Sequence, residues 1–190
     1  MCKLISNSSN RKGFTLVELL VVIAILSVLM GLVFPALMRG KGTANKTACA
    51  SNLRQIVTLA RMYAEEEKTF PFAGEGACAV EHIQTLIDFY PKDIKPKLFV
   101  CPGSTEKESK IEPGGTYRDV IINENNISYA WLMEESNPDS GANRILVADK
   151  SLANHNDEGI NVAYFGTDVE FLKAKEGITW EMLTENQLTK

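Results

Sequence analysis

Between Glu18 and Lys41 lies the stretch that most limits how this chain can fold. Residues 19–38 read LLVVIAILSVLMGLVFPALM, an apolar run interrupted only by Ser27, Gly31 and Pro35. As a helix rising about 1.5 Å per residue, twenty such residues cover the roughly 30 Å of a bilayer's hydrocarbon core. Arg11 and Lys12 stand just before the segment, and one carboxylate, Glu18, sits at its head. An acid at the membrane centre costs about 2.5 to 3.5 kcal/mol on insertion scales, and less near an interface. Intramembrane acids are therefore retained for a partner and a purpose.

The order Arg11-Lys12-Gly13, then Phe14-Thr15-Leu16-Val17-Glu18-Leu19-Leu20, then the apolar helix, resembles the N-terminus of type IV prepilins and type II secretion pseudopilins. The resemblance implies that a membrane peptidase cuts after Gly13 on the cytoplasmic side and methylates the new N-terminal residue, Phe14. It further implies that Glu18, fifth in the processed chain, is the assembly residue, and that Pro35 is the proline at which the helix bends.

Physical chemistry accounts for the same choices. Glycine lets a protease approach the backbone closely. A cut there leaves an ammonium on Phe14, which a neighbouring subunit's Glu18 can pair with where water is scarce. Pro35 removes one helix hydrogen bond and crowds the preceding turn, so a kink or local melting is expected there. Gly31 loosens the same region and permits close helix packing.

The leader, residues 1–13, is polar and basic, with Lys3, Arg11 and Lys12 and no acid. A secretory signal is cut after its apolar segment rather than before it. Cys2 follows no apolar run, so a lipoprotein signal is absent and Cys2 is expected to leave with the leader. Removing three positive charges takes the formal charge from −4 to about −7. That acidity argues against nucleic acid as a partner. Cations flank the span on both sides, so charge alone orients it weakly. The family resemblance places the leader in the cytoplasm and the rest of the chain in the periplasm, anchored by one pass in a bacterial inner membrane.

Beyond the span, residues 39–68 read as a continued amphipathic helix. Leu53, Ile56, Val57, Ala60, Tyr63 and Ala64 recur at spacings of three and four. Gly40 and Gly42 suggest a flexible joint. A second helix is expected over 79–90, with Val80, Ile83, Leu86, Ile87 and Tyr90 inward. Strands are expected at 97–101, 127–133, 144–149, 160–165 and 168–173, and a short closing helix near Thr179, with Trp180 and Leu183 on one side. Gly166-Thr167 suits a type II′ hairpin turn between the last two strands. The division is thus leader 1–13, membrane or filament-core helix 14–38, amphipathic continuation 39–68 and globular part 69–190. The fold class is α+β, a long helix on a small antiparallel sheet, which is also the pilin-like architecture the resemblance implies. Cys101-Pro102, Ile127-Ser128-Tyr129 and the stretch from Asn154-His155 to Asn161-Val162 resemble pilin-like proteins common in planctomycete-type bacteria. In those the final hairpin usually turns on Asp-Gly followed by His-Val, where this chain has Gly166-Thr167-Asp168-Val169.

Cys49, Cys78 and Cys101 remain after processing, in an oxidising compartment. Cys49 on the long helix with Cys101 beside the first strand is the favoured disulfide; three small buried thiols are the alternative. No CxxC supports a zinc ribbon or redox motif. His82 falls on the polar side of the second helix and reads as solvated. His155 has Asp149, Asn154, Asn156, Asp157 and Glu158 nearby, oxygen donors that could take calcium, although no EF-hand spacing is present. Trp131 and Trp180 read as core or interface fillers. The serines lack a nucleophile elbow and no phosphate-binding glycine loop occurs, so no enzyme is expected.

The expected function is a processed, membrane-inserted subunit of a type IV pilus or type II secretion pseudopilus. Its implied partners are other pilin-like subunits, the prepilin peptidase, an inner-membrane assembly platform and the lipid bilayer. The alternative is a surface protein that binds a ligand or DNA and uses the helix only as an anchor.

Overall fold

A computed structural model describes residues 14–74, 78–91, 94–108, 123–131 and 141–174. The chain divides into two compact units, Met1–Gly40 and Lys41–Lys190. Helix α1 is Leu16–Glu67 and α2 is Ala79–Phe89. Strands β1 (Tyr129–Trp131), β2 (Ile145–Asp149), β3 (Gly159–Tyr164) and β4 (Val169–Lys173) form one antiparallel meander in the order β1-β2-β3-β4. The fold class is therefore α+β.

In the first unit α1 is long and apolar enough to cross a membrane. Apart from Met62, every exposed large hydrophobic side chain among the described residues lies between Phe14 and Met38. Ser27 spends its hydroxyl on the Ile23 carbonyl at 2.7 Å, so the one polar side chain of the run is satisfied within its own helix. Helical conformation continues through Pro35, Gly40 and Gly42. Of the two outcomes expected at Pro35, a kink or local melting, melting is not found: the helix carries the proline's cost of about 3 kcal/mol within a ladder continued on either side.

In the second unit the stripe from Leu53 to Ala64 is buried, together with Cys49. It packs with Ile83, Leu86 and Ile87 of α2, with Phe70, Phe99 and Ile127, and with Tyr129, Leu146, Val147 and Ala163 of the sheet. A smaller cluster, Ile145, Ala148, Ile160 and Val162, gathers the side chains of the sheet's other face. Strand β2 is buried along its whole length, as a strand with partners on both edges and cover on both faces must be. Its register shifts between Ile145 and Val147, opposite Tyr164 and Ala163, so Leu146 is an extra residue and joins Val147 in the larger core.

Two expectations are corrected. Residues 97–101 are not a strand. Pro96–Phe99 is a single 3-10 turn with proline at its start, where a fixed φ suits helix and the missing N–H costs nothing. The turn buries Phe99, and the Phe99 carbonyl accepts from Ser128 N–H at 2.9 Å. The last hairpin also turns differently. Thr167, not Gly166, takes the left-handed conformation, with φ 72°. Tyr164 N–H donates to Asp168 and Thr167 N–H to Tyr164, each at 2.9 Å, closing a three-residue loop rather than a II′ turn. The cause is Phe165, which is drawn into the core edge-to-face on Phe70 at 4.5 Å and so becomes a loop residue. Gly166 matters for closeness instead, since a Cβ there would stand a tight 3.1 Å from the Ala142 carbonyl oxygen and press on that segment. The expected closing helix, with Trp180 and Leu183, lies outside the described residues, as do residues 132–133 of the strand expected over 127–133.

Candidate functional site

Two groups of residues carry the chemistry, one in each unit. The first is the head of α1. Thr15 is the residue before the helix, and its Oγ1 accepts from Glu18 N–H at 3.2 Å. The Glu18 carboxylate accepts in return from Thr15 N–H at 2.9 Å and from Thr15 Oγ1–H at 2.7 Å. This is a reciprocal capping box: each side chain satisfies a backbone donor that the first helical turn leaves orphaned. The acid also lies at the positive end of the helix dipole, where a negative charge is favoured. Thr15-x-x-Glu18 is legible in the sequence as a capping signature, although an acid inside an apolar run points first to partners in other chains. Phe14 is exposed one residue ahead of the cap. Gly13 lies outside the described residues, with Arg11 and Lys12.

The second group is buried where α1 meets the sheet. Cys49 of α1 and Cys101 are joined as a disulfide that closes 52 residues of chain, and Cys78 is free and exposed. Asp149 ends β2 opposite Tyr129 of β1, and its side chain is fully buried. One of its oxygens, Oδ2, accepts from Asn161 N–H at 2.6 Å and from Asn161 Nδ2 at 3.0 Å, and lies 2.7 Å from His155 Nε2. Asn161 lies on β3, so three chain segments converge on one carboxylate oxygen. The ring of His155 stands edge-on to Phe171 of β4, centroids 5.8 Å apart. The Tyr129 hydroxyl points to Cys49 Sγ at 3.4 Å and receives Asn52 Nδ2 at 3.3 Å. Burial pushes the Tyr129 hydroxyl pKa well above its ordinary 10.0; the Asn52 hydrogen bond opposes this and the nearby Asp149 charge adds to it.

Tight approach holds the group together. A Cβ at Gly103 would collide with the Asn154 carbonyl, so only glycine lets the chain after Cys101 lie against the turn that carries His155. Asn156 and Asp157 are left-handed in succession, with φ 55° and 59°, which asparagine and aspartate tolerate better than most residues.

The loop donors considered for calcium divide by position. Asn154 and His155 are buried, while Asn156, Asp157 and Glu158 are exposed, Glu158 paired with Lys46 of α1. His82 is a correction: it is buried rather than solvated. Its Nδ1 accepts from Ala73 N–H at 2.9 Å and its ring stacks on Phe72, so α2 turns a polar side chain inward to cap a passing loop. Trp131 is buried in the core, and Trp180 lies outside the described residues.

Residues 8–34 match the family model for the prokaryotic N-terminal methylation motif. The chain is 38% identical over 61 residues to the type IV wide pilus major component PilA4 of Thermus thermophilus, covering 32% of this chain and 47% of that protein. It is 33% identical over 79 residues to the type II secretion system core protein G of Escherichia coli, covering 42% and 54%, and 30% identical over 87 residues to that of Klebsiella michiganensis, covering 44% and 61%. The chain thus spans about half the length of the curated relatives it matches. No solved structure matches it. Residues 8–34 therefore carry the prokaryotic N-terminal methylation motif, on a chain similar over part of its length to pilus and type II secretion core subunits.

Proposed function

We propose that the protein is a pilin-like subunit, anchored in a bacterial inner membrane by residues 14–38, processed by a prepilin peptidase and assembled through α1 into a type IV pilus or a type II secretion pseudopilus. The observation that carries this reading is the order of parts at the N-terminus: basic leader, Gly13, Phe14, a capped Glu18, then an apolar helix whose side chains lie exposed. A buried core helix would hide that face. The motif match at residues 8–34 supports the same reading. The subunit catalyses no reaction of its own; it is the peptidase's substrate. Cleavage falls after Gly13 with methylation of Phe14, the leader lies in the cytoplasm, and the domain that follows α1 lies in the periplasm, where an assembly platform adds the subunit to its neighbours.

Intact mass and N-terminal sequencing of the membrane-extracted protein test this. The wild type should begin at a methylated Phe14, and Gly13→Val should keep residues 1–13. A mature chain beginning beyond residue 38 would mean ordinary secretion and would end this reading.

A further inference from the structure

The disulfide between Cys49 and Cys101 does not stand alone. Each of Cys49, Cys101, Asp149 and His155 offers one ligand atom, and these atoms lie within 4.8 Å of one another, all four residues being buried. Bonds of about 2.0 to 2.3 Å from zinc to nitrogen, oxygen and sulfur give a tetrahedron with edges of roughly 3.3 to 3.8 Å. The four donors already share one buried spot; to surround an ion the widest pair would draw in by about an ångström and the two sulfurs would part once reduced. Two further facts point the same way. Asp149 Oδ1 and His155 Nδ1 are buried without a hydrogen-bond partner among the described residues, where buried polar atoms are nearly always paired. Asn161, by contrast, already donates twice to Asp149, the kind of outer support that orients a ligating carboxylate.

We propose that Cys49, Cys101, Asp149 and His155, with the two cysteines reduced, form a binding site for one zinc-class divalent cation. The disulfide and the metal are then alternative closures of the same contact between α1 and the sheet. Two thiolates and an imidazole select a thiophilic ion over a hard one such as calcium. The balance is simple. A dithiol reductant breaks the S–S bond, giving two electrons and two protons to Cys49 and Cys101 and closing its own disulfide. The cation then takes the place of the two thiol protons, which go to solvent. Reoxidation by a disulfide reverses both steps and releases the ion. Gly103, whose N–H points at Cys101 Sγ at 3.4 Å, and Tyr129, whose hydroxyl points at Cys49 Sγ, place a donor beside each sulfur, the kind of contact that would also stabilise a thiolate.

The test uses the full chain in detergent, with Co2+ and Zn2+ as probes. One sample is air-oxidised. The other is reduced with a phosphine, which leaves as its oxide after taking oxygen from water. The reduced chain should take up one Co2+ with sulfur-to-cobalt absorption and a tetrahedral spectrum, and Zn2+ should displace it. The oxidised chain should take none, and Ca2+ should not compete. His155→Gln and Cys49→Ser should each weaken binding at least about tenfold, while Cys78→Ser should leave it unchanged. Native mass of the reduced wild type, reading zinc bound with loss of two protons, does not depend on how the variants fold. The proposal is overturned if the reduced wild type takes up no ion, if oxidised and reduced chains bind equally, or if a chain with both Cys49→Ser and Cys101→Ser keeps the cobalt–sulfur absorption.

Discussion

Thr15 and Glu18 satisfy each other: the threonine hydroxyl receives the Glu18 N–H, and the Glu18 carboxylate receives the Thr15 N–H at 2.9 Å. An acid at the head of an apolar helix thus has a partner in its own chain before any neighbour arrives. Capping is the role seen here and pairing with a neighbour's Phe14 is the proposed one, and different substitutions separate the two.

Glu18→Gln keeps an oxygen able to accept from Thr15 but removes the charge. Glu18→Val removes both, with a capping loss of about 1 kcal/mol. If the charge pairs with the neighbour's Phe14 ammonium, both variants should be inserted and processed normally, and both should give sharply reduced yields of sheared filament per processed subunit. Fraying of the first turn, read by amide exchange near Thr15, should appear only in Glu18→Val. Wild-type assembly by Glu18→Gln would reduce the residue to a cap.

The disulfide closes 52 residues, and chain-entropy arguments assign such a loop about 4 kcal/mol. Reducing it without added metal should lower the unfolding free energy of the domain by about 2 to 4 kcal/mol in urea titrations. Cys78→Ser, at an exposed free thiol, should shift the midpoint hardly at all. A midpoint unmoved by reduction would show that the native contacts hold without the crosslink.

Alkali should unfold the domain through Tyr129. Its pKa in the folded chain is raised above the ordinary 10.0, chiefly by burial. The folded state therefore keeps its proton where the unfolded state has lost it. The resulting stability is complete below pH 10 and declines as pH rises from there toward the folded value, by about 1.4 kcal/mol per pH unit for one proton. Tyr63 and Tyr164 are pushed the same way, first by burial and then by Glu67 and Glu170. Tyr129→Phe should flatten the alkaline slope by close to one proton. It should also cost about 1 kcal/mol at neutral pH through the lost contacts with Asn52 and Cys49. An unchanged slope in the variant would assign alkaline unfolding to other groups.

A chain beginning at Thr43 should be soluble, monomeric and cooperatively folded. The apolar stripe of α1 from Cys49 to Ala64 is buried within the second unit, whereas the exposed apolar side chains of 14–38 are removed by the truncation. Sedimentation and a single thermal transition read the outcome. Aggregation would mean that residues before 43 cover part of the domain's core.

What the sequence made legible follows from period and contrast. The stripe Leu53–Ala64, the inward face of α2 and the β2–β3–β4 meander show repeating apolar positions, and these elements exist close to where the pattern puts them. The misses are places where a single contact outweighs the pattern. Pro96 starts a turn because Phe99 needs only one turn to reach the core. Phe165 leaves its strand for Phe70 and moves the hairpin's left-handed residue to Thr167. His82 sits on what looks like the polar side of α2, but a loop returning over that side covers it. The convergence of Asp149, His155 and Asn161 depends on strand register and on a left-handed turn at Asn156, neither of which periodicity encodes.

The extra residue at Leu146 has one more consequence. A regular two-residue alternation can slide along its partner in steps of two and still present the same faces. Strand β2 cannot. Moved by one residue, Ile145 and Ala148 exchange faces with Val147; moved by two, the bulge falls where β3 offers a regular pair. The hairpin is thereby keyed to a single alignment, the one that sets Asp149 beside Asn161 and close to the Cys49–Cys101 bridge. Mispairing is excluded by shape before side-chain packing has to reject it.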